Sequence, residues 1–571
     1  MKSGSWVHGL SARRDLIAGS ALFLAAASFV LWQNSQISIL WDLSYLLDTS
    51  WRIALGQMPY RDFPLVHPPL TFLIQALIMR LAGRYFYFQI AYTAVVGGVG
   101  TVLAWRVLLH ALIGRVDRAW LVSLLLAVPL TELGVYSIYP HPIYDCDCAF
   151  VILVVVFMLE RIAAGASQAG FVAGVATVLP VFFKQNMGLP FLLAVVAGVA
   201  LLLAVNAIGK AEASGIPRGV LLRILAGVAI ASLGAIGLLQ VTVGLDSYLH
   251  WTVRFAAERR LPGLADMVSI YRQPSFVWTL PCVGLGLGLI CLPVARRVWG
   301  RAAGFSLLAA PLIGSIVYLF LDDDLDERAD NLLALWPLLL IVSAVVALIE
   351  LRKGITLRRL MPFFVLAAIH GTFLSQQLWG STYAIWPLLT LLIAYTLSAM
   401  PPVAGKLALP LACVVCATFL ICGGLYAAGH ERMNYLQAAD GPLDHATLPA
   451  LRGMADREPY LADFEELVRF AEREIPAQDG ILLLPGEEPF YFATGRTPQF
   501  PVQIFDRTTD PYSPEQLMEA ARERNIRWVI VKTRLQSTED PLPDSARTIA
   551  LVQAEFRPFR QLGGYQVYRR P

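Results

Sequence analysis

Charge is what this sequence has least of. Only 15% of its 571 residues are Asp, Glu, Lys or Arg, whereas 57% are hydrophobic and the mean hydropathy is +0.59. A soluble protein carries about a quarter charged residues, so a wholly soluble chain is excluded. The short alternating segments of a transmembrane β-barrel are missing too. What remains are apolar blocks of about 18–25 residues, the length of a helix that crosses a bilayer.

Polar cysteine clusters are also missing. Most of the seven cysteines fall inside apolar runs, away from the polar, closely spaced partners that a disulfide or zinc site needs. Cys146 and Cys148 in YDCDC are interpreted as packing residues, and no metal ligands are assigned. The net charge of +3 arises from membrane-flanking loops, so nucleic acid is not an expected partner. No signal cleavage site is recognised, and we expect the first apolar run to be a span.

The apolar blocks predict an all-α polytopic protein of the cytoplasmic (inner) membrane with about 13 spans. Loops rich in Lys and Arg alternate with loops poor in them, which places the N-terminus in the cytoplasm and the C-terminus outside. The matched, interrupted halves of many transporters are not visible. We expect a membrane domain over residues 1–428, with a catalytic outer loop at 34–88. The span centres lie near residues 24, 100, 125, 154, 176, 196, 233, 285, 312, 340, 367, 391 and 417.

Beyond residue 428 the composition changes, because charge rises and the long apolar runs stop. Leu461–Ile475 has the apolar spacing of a helix, and SPEQLMEAARERN reads as a helix with a Ser cap. GILLLPG and RWVIVKT read as buried strands. This alternation predicts a small soluble α/β domain over residues 429–571, on the extracytoplasmic side.

The first outer loop holds the main catalytic candidate, Asp42, directly after the first span. Asp42, Tyr45 and Arg52 share one face of a short helix. A carboxylate held over a cavity at the membrane surface can act as a general base towards a hydroxyl group. The spacing alone is equally compatible with Asp42 capping the helix.

Other polar residues of the outer loops are candidates for the same site. The Pro-rich stretch GQMPYRDFPLVHPPL presents Tyr60, Asp62 and His67 on a rigid turn. The cations Lys184, Arg254 and Arg328 face either a cavity or the lipid headgroups. Converging cations bind phosphate. The acidic run DDDLDE is either a metal site or a solvated loop.

The first outer loop resembles that of the integral-membrane C-type glycosyltransferases, which include the protein O-mannosyltransferase and lipid A aminoarabinose transferase group. In that family an acidic residue is followed by Tyr and, fourteen positions after it, by Gly, and the loop ends in Lys-Pro-Pro. Asp42, Tyr45, Gly56 and the HPPL turn match this order. The tail segment AEREIPAQDGILLLPGEEPFYFATGRTP looks like that of many bacterial members.

The resemblance implies transfer of a sugar from a polyprenyl-phosphate carrier to a lipid, glycan or protein acceptor, with inversion and Asp42 as base. It departs from the pattern at Leu43, where the family has Glu, and at His67, where it has Lys. The second carboxylate would then be Asp48 or Asp62. Whether a divalent metal ion takes part stays open. Contacts to donor sugar or acceptor are assigned to Tyr45, Tyr60, His67 and His141, and contacts to the lipid phosphate to Lys184, Arg254 and Arg328.

Two other functions fit parts of the pattern. A transporter or flippase for lipid-linked substrates also has many spans and intramembrane cations, although the polar residues here cluster on one side. An inactive relative that serves as an assembly subunit fits the departures at Leu43 and His67.

Overall fold

The computed structural model describes residues 4–208, 215–292, 297–321, 335–374, 384–401, 405–428, 441–457, 459–537, 542 and 544–571. Within these residues an apolar helix covers each predicted span centre. These helices are Gly4–Asn34, Phe86–Leu112, Ala119–Ala127, Tyr144–Ala163, Gly170–Phe183, Gln185–Ile208, Arg218–Thr242, Phe276–Cys291, Val298–Leu321, Leu335–Leu351, Leu357–Gly371, Trp386–Ala399 and Ala408–Ala428.

Seven of the described helices are long and apolar enough to cross a bilayer, and five further apolar helices have 10–17 residues. Helices are the natural choice because each one satisfies its own backbone hydrogen bonds where no water is present. The chain is therefore a multi-pass membrane protein of helical type, as the sequence predicted.

Small residues allow two membrane helices to pack closely. Gly174 and Gly227 lie on the facing helices Gly170–Phe183 and Arg218–Thr242. A Cβ atom on Gly174 would overlap the carbonyl oxygen of Ile224, and one on Gly227 would overlap that of Phe171. Close backbone approach is a major source of helix association inside a membrane.

The first outer loop is mostly helical. The chain runs through Leu40–Leu43, a π-helical turn at Ser44–Asp48 and Thr49–Ala54, and after the Pro-rich turn it forms the helix Leu70–Ala82. A π turn widens the spacing along a helix and is frequent at functional sites. The later outer segment contains Leu245–Leu249, a second π turn at His250–Phe255, Ala256–Arg260 and Leu264–Met267.

The C-terminal part is a small α/β domain. Its four-stranded sheet has the order β3 (Gly480–Leu484), β4 (Ile526–Lys532), β6 (Tyr565–Arg569), β5 (Arg557–Leu562). Strands β3 and β4 are parallel, and the other neighbours are antiparallel. A two-residue pairing of β1 (Asp444–His445) with β2 (Ala455–Asp456) precedes the sheet. The helices are Tyr460–Glu474, Phe490–Thr494, Pro514–Glu523 and Ser545–Glu555.

The sequence predicted the first helix and strand pair of this domain well. Ser513 caps Pro514–Glu523 in a full capping box with Gln516, as its position before Pro514 indicated. The hairpin of β5 and β6 was not predicted, because β5 exposes five of its six residues and lacks a clear apolar alternation.

The C-terminal domain covers the first outer loop. Ser44 donates its hydroxyl to the carbonyl oxygen of Gly486 at 2.7 Å, and the backbone N–H of Leu40 donates to Gln536 Oε1 at 2.9 Å. The guanidinium of Arg52 donates to the carbonyl oxygens of Phe500 and Pro501. The segment that carries Asp42 is thus held between the membrane helices and the soluble domain.

Candidate active site

Asp42 lies inside the short helix Leu40–Leu43 and is half-buried. Ile39 occupies the N-cap position of this helix, so the capping role that the spacing allowed for Asp42 is not what the structure has. The hydroxyl of Tyr139 donates a hydrogen bond to Asp42 Oδ2 at 3.0 Å. Tyr139 is fully buried. One carboxylate oxygen is therefore held in a fixed direction by a rigid neighbour.

His141 supports the backbone just before Asp42. The backbone N–H of Ile39 donates to His141 Nε2 at 3.2 Å, and His141 Nδ1 lies 2.9 Å from Asn34 Oδ1. These partners require a neutral ring with its proton on Nδ1. Burial also lowers the pKa of His141 to about 3, which favours the same neutral form. His141 is placed to fix the chain, and its predicted contact with sugar stays a prediction.

One helical turn after Asp42, the side chains of Tyr45, His67 and Tyr144 form an aromatic row. The hydroxyl of Tyr45 lies 2.9 Å from His67 Nδ1. The His67 ring stacks on Tyr144, with centroids 4.1 Å apart and planes at 22°. Tyr60 is buried and donates its hydroxyl to the carbonyl oxygen of His67 at 2.7 Å. Tyr60 thus holds the Pro-rich turn, while Tyr45 and His67 meet at the site.

Lys184 lies at the far end of this row. Its ammonium forms a buried ion pair with Asp145, and its Nζ lies 5.3 Å from the centroid of the Tyr144 ring. Lys184 stands between the helices Gly170–Phe183 and Gln185–Ile208, where the chain is not helical. Tyr144 thus lies between Lys184 and His67, and the predicted phosphate contact at Lys184 stays a prediction.

Asp147 is also buried and lies with Asp145 in the first turn of the helix Tyr144–Ala163. Its carboxylate accepts hydrogen bonds from the hydroxyl groups of Thr71, Tyr92 and Tyr136, each at 2.7 Å. Three donors satisfy a buried carboxylate well. Asp147 therefore ties the helix Leu70–Ala82 and the helix Phe86–Leu112 to the helix that begins at Tyr144.

The two residues predicted as the second carboxylate lie elsewhere. Asp48 is buried under the C-terminal domain, where the backbone N–H groups of Tyr491 and Phe492 donate to it at 3.1 and 2.6 Å. Asp62 lies on an exposed turn, pairs with Arg61 at 2.9 Å and accepts the N–H of Met58 at 2.7 Å. Asp145, which the sequence analysis did not assign to the catalytic site, is the carboxylate that the structure brings next to the aromatic row.

The other predicted cations do not join the row in the described structure. The side chain of Arg254 is 61% exposed and pairs with Asp246 at 3.3 Å. Arg328 and the DDDLDE run fall outside the described residues. Among the described residues, three or more His, Cys, Asp or Glu side chains do not come together as a metal-binding group.

The aromatic and acidic residues around 490 form part of the domain core. Phe490 and Phe492 are fully buried, and Glu487 and Glu488 both form ion pairs with Lys532 inside the domain. These side chains therefore belong to the packed core of the domain.

Comparison with known proteins gives distant structural neighbours. No protein-family model and no curated protein matches the chain. AglB, the oligosaccharyltransferase of Archaeoglobus fulgidus, solved with an inhibitory peptide and a dolichol-phosphate, is 10% identical, with a TM-score of 0.49 over 97% of this chain and 74% of that one. ArnT from Cupriavidus metallidurans, bound to undecaprenyl phosphate, is 10% identical, with a TM-score of 0.45 over 97% of each chain.

Both neighbours are C-type glycosyltransferases, the superfamily that the first outer loop resembles.

Proposed function

We propose that the chain is a glycosyltransferase that moves a sugar from a polyprenyl-phosphate carrier to an acceptor on the outer face of the cytoplasmic membrane. The observation that carries this proposal is the Asp42 carboxylate, half-buried and held by Tyr139 at 3.0 Å. The resemblance of the first outer loop supplies the donor class. The acceptor is a lipid, a glycan or a protein.

Asp42 is the proposed general base. Its carboxylate takes the proton of the acceptor hydroxyl, and the hydroxyl oxygen attacks the anomeric carbon of the donor sugar. The bond between that carbon and the phosphate oxygen breaks, and the phosphate leaves with the electron pair. Attack from the face opposite the phosphate inverts the anomeric centre. The Tyr139 hydrogen bond supports this role, because a base must be held within reach of the proton it removes.

Lys184 is the proposed contact for the leaving phosphate. Its ammonium lies next to the Tyr144 ring, which stacks on His67 one step from Tyr45. A fixed cation near the breaking bond stabilises the negative charge that develops on the phosphate. Asp145 balances this cation while no substrate is bound and fixes its direction. We therefore propose Asp145 as the second carboxylate of the site, in place of Asp48 or Asp62, which the sequence suggested.

Transfer of labelled sugar by the purified protein tests the proposal. The donors are a mixed set of polyprenyl-phosphate sugars, and each assay is run with and without a chelator. We expect transfer by the wild type and a loss of at least a thousandfold in Asp42→Asn, because the amide cannot accept the proton. Asp62→Asn is the matched control, since it makes the same chemical change on an exposed turn of the same loop.

Retained transfer in Asp42→Asn would reject the base assignment. A wild type that is folded but transfers from no donor, with acceptors of all three classes present, would favour a transporter or an inactive relative. The chelator arm separately reports whether a divalent metal ion is needed.

A further inference from the structure

A groove opens at the end of the membrane helices opposite to Asp42. The helix Phe86–Leu112 begins with Phe86 against His141 and ends three residues before Arg115. At 1.5 Å per residue, its two ends are about 40 Å apart. The groove is a shallow, partly open depression between the ends of the helices Leu335–Leu351, Leu357–Gly371 and Trp386–Ala399.

The groove is lined by both apolar and basic side chains. Val346, Ala347, Pro362 and Leu392 form its apolar wall. Arg115, Arg358 and Arg359 also line it. An apolar surface beside arginines fits a ligand with a hydrocarbon chain and an anionic head, because each part then meets a matching surface.

Carboxylates offset only part of this positive charge. Glu160 is fully buried and accepts hydrogen bonds from Arg358 Nε at 3.4 Å and from the Tyr395 hydroxyl at 2.9 Å. Glu350 pairs with Lys353 and lies 3.9 Å from Arg359 Nε. With Arg115 included, the groove and its surroundings therefore hold two carboxylates and four cations, which are Arg115, Lys353, Arg358 and Arg359.

Arg115 lies within electrostatic reach of Glu160 and Glu350 but forms an ion pair with neither. Its guanidinium lies 3.5 Å from the Ser398 hydroxyl, and among the described residues it forms no ion pair. It lines the groove from the turn after the helix Phe86–Leu112. An anion in the groove would meet this guanidinium beside that of Arg358, which donates to Glu160 and to the carbonyl oxygen of His110.

We propose that this groove binds the phosphate group of an anionic membrane lipid. The head contacts Arg115 and Arg358, and one hydrocarbon chain follows the apolar wall. The face is the one with the basic loops, which the positive-inside rule assigns to the cytoplasm, where anionic lipids attract arginines. The proposal is independent of sugar transfer, since the groove is at the opposite membrane surface from Asp42.

Native mass spectrometry of the purified full chain in detergent, titrated with dioleoyl phosphatidylglycerol, tests this site. We expect saturable binding that Arg115→Gln weakens about fivefold, the equivalent of ~1 kcal/mol for one cation near a lipid phosphate. Arg352→Gln is the matched control, because Arg352 is exposed at the same face, loses the same charge and does not line the groove. We expect it to bind like the wild type.

Two further arms identify the ligand. Dioleoyl phosphatidylcholine has the same chains but no net charge, and we expect it to bind more weakly than phosphatidylglycerol. Inorganic phosphate is added as a competitor, and we expect no displacement at millimolar concentration. Equal weakening by Arg115→Gln and Arg352→Gln would overturn the proposal in favour of general surface charge. Displacement by inorganic phosphate would overturn the lipid assignment. Thermal melting without lipid shows whether each variant is folded.

Discussion

The hydroxyl of Tyr139 donates a hydrogen bond to Asp42 Oδ2 at 3.0 Å, across 97 residues of chain. The loop with Tyr139 is itself fixed, because His141 binds the backbone N–H of Ile39. The direction of the Asp42 carboxylate is thus determined by the stretch YSIYPHPIYD, which leads into the helix Tyr144–Ala163, and not by its own helix.

Tyr139→Phe is expected to lower kcat for sugar transfer about ten- to hundredfold with little change in KM. A hydrogen bond to a charged group contributes about 1.5–3 kcal/mol, and here it aligns the base. Steady-state kinetics with the active donor measures the change. Tyr87→Phe, at a position 55% exposed, is the control and should leave both constants unaltered. An unchanged kcat in Tyr139→Phe would contradict the aligning role.

Lys184→Met is expected to destabilise the fold by about 3–5 kcal/mol and to abolish transfer. The substitution leaves the Asp145 carboxylate buried without its cation, which costs more than the pair itself contributes. The double variant Lys184→Met with Asp145→Asn should recover much of the stability, measured by thermal unfolding in detergent. It should not recover transfer, and recovery of both would show that the ion pair is structural only.

The stability of the folded protein is expected to fall as pH rises, because Asp48 is buried under the C-terminal domain. Burial raises the pKa of Asp48 from its ordinary value of 3.8 to about 8, against the opposing hydrogen bonds from Phe492 and Tyr491. Because the folded protein binds this proton more tightly than the unfolded chain, its stabilising effect is complete below about pH 4 and is lost as pH rises through 8.

Melting temperatures between pH 6 and pH 9 check this prediction. The wild type should lose stability over that range, and Asp48→Asn, which cannot ionise, should lose less. Burial raises the pKa of Asp510 to about 7, so this group adds a fall of the same sign to both proteins. Only the difference between the two curves therefore reports Asp48, and parallel curves would contradict the assignment.

Gly56→Ala is expected to destabilise the first outer loop by about 1–2 kcal/mol. Gly56 has a φ of +97°, which a residue with a Cβ adopts only with strain, although there is free space around it. Gly219→Ala is a suitable control, because that glycine also has open space but lies in a helix. Thermal unfolding should show a loss for Gly56→Ala alone.

The sequence located the part of the site that is local in the chain. Asp42 and Tyr45 are one turn apart, and His67 follows on the same Pro-rich loop, so spacing was sufficient to group them. Tyr139 and Tyr144 join them through tertiary contacts that leave no periodic pattern in the sequence. The stretch YSIYPHPIYDCDC did carry a signal, because two acidic residues at the start of an apolar helix need partners inside the protein.

Asp48 shows why the other contacts around the first outer loop could not be predicted from the sequence. The backbone N–H groups that donate to its carboxylate belong to Tyr491 and Phe492, more than 440 residues later in the chain. From the local sequence, Asp48 and Asp42 are two equivalent carboxylates on one short helix. Only the position of the C-terminal domain distinguishes a carboxylate that is covered from one that stays half-exposed. The apolar helices, by contrast, follow from composition alone, because the bilayer sets their length.

The C-terminal domain forms hydrogen bonds with residues 40–54, so it cannot be exchanged alone for a domain of another protein. A foreign domain placed after residue 428 would leave the guanidinium of Arg52 and the carboxylate of Asp48 buried without their present partners. A working chimera would therefore have to exchange residues 40–54 together with the tail. The two stretches, far apart in the chain, therefore form one exchangeable unit.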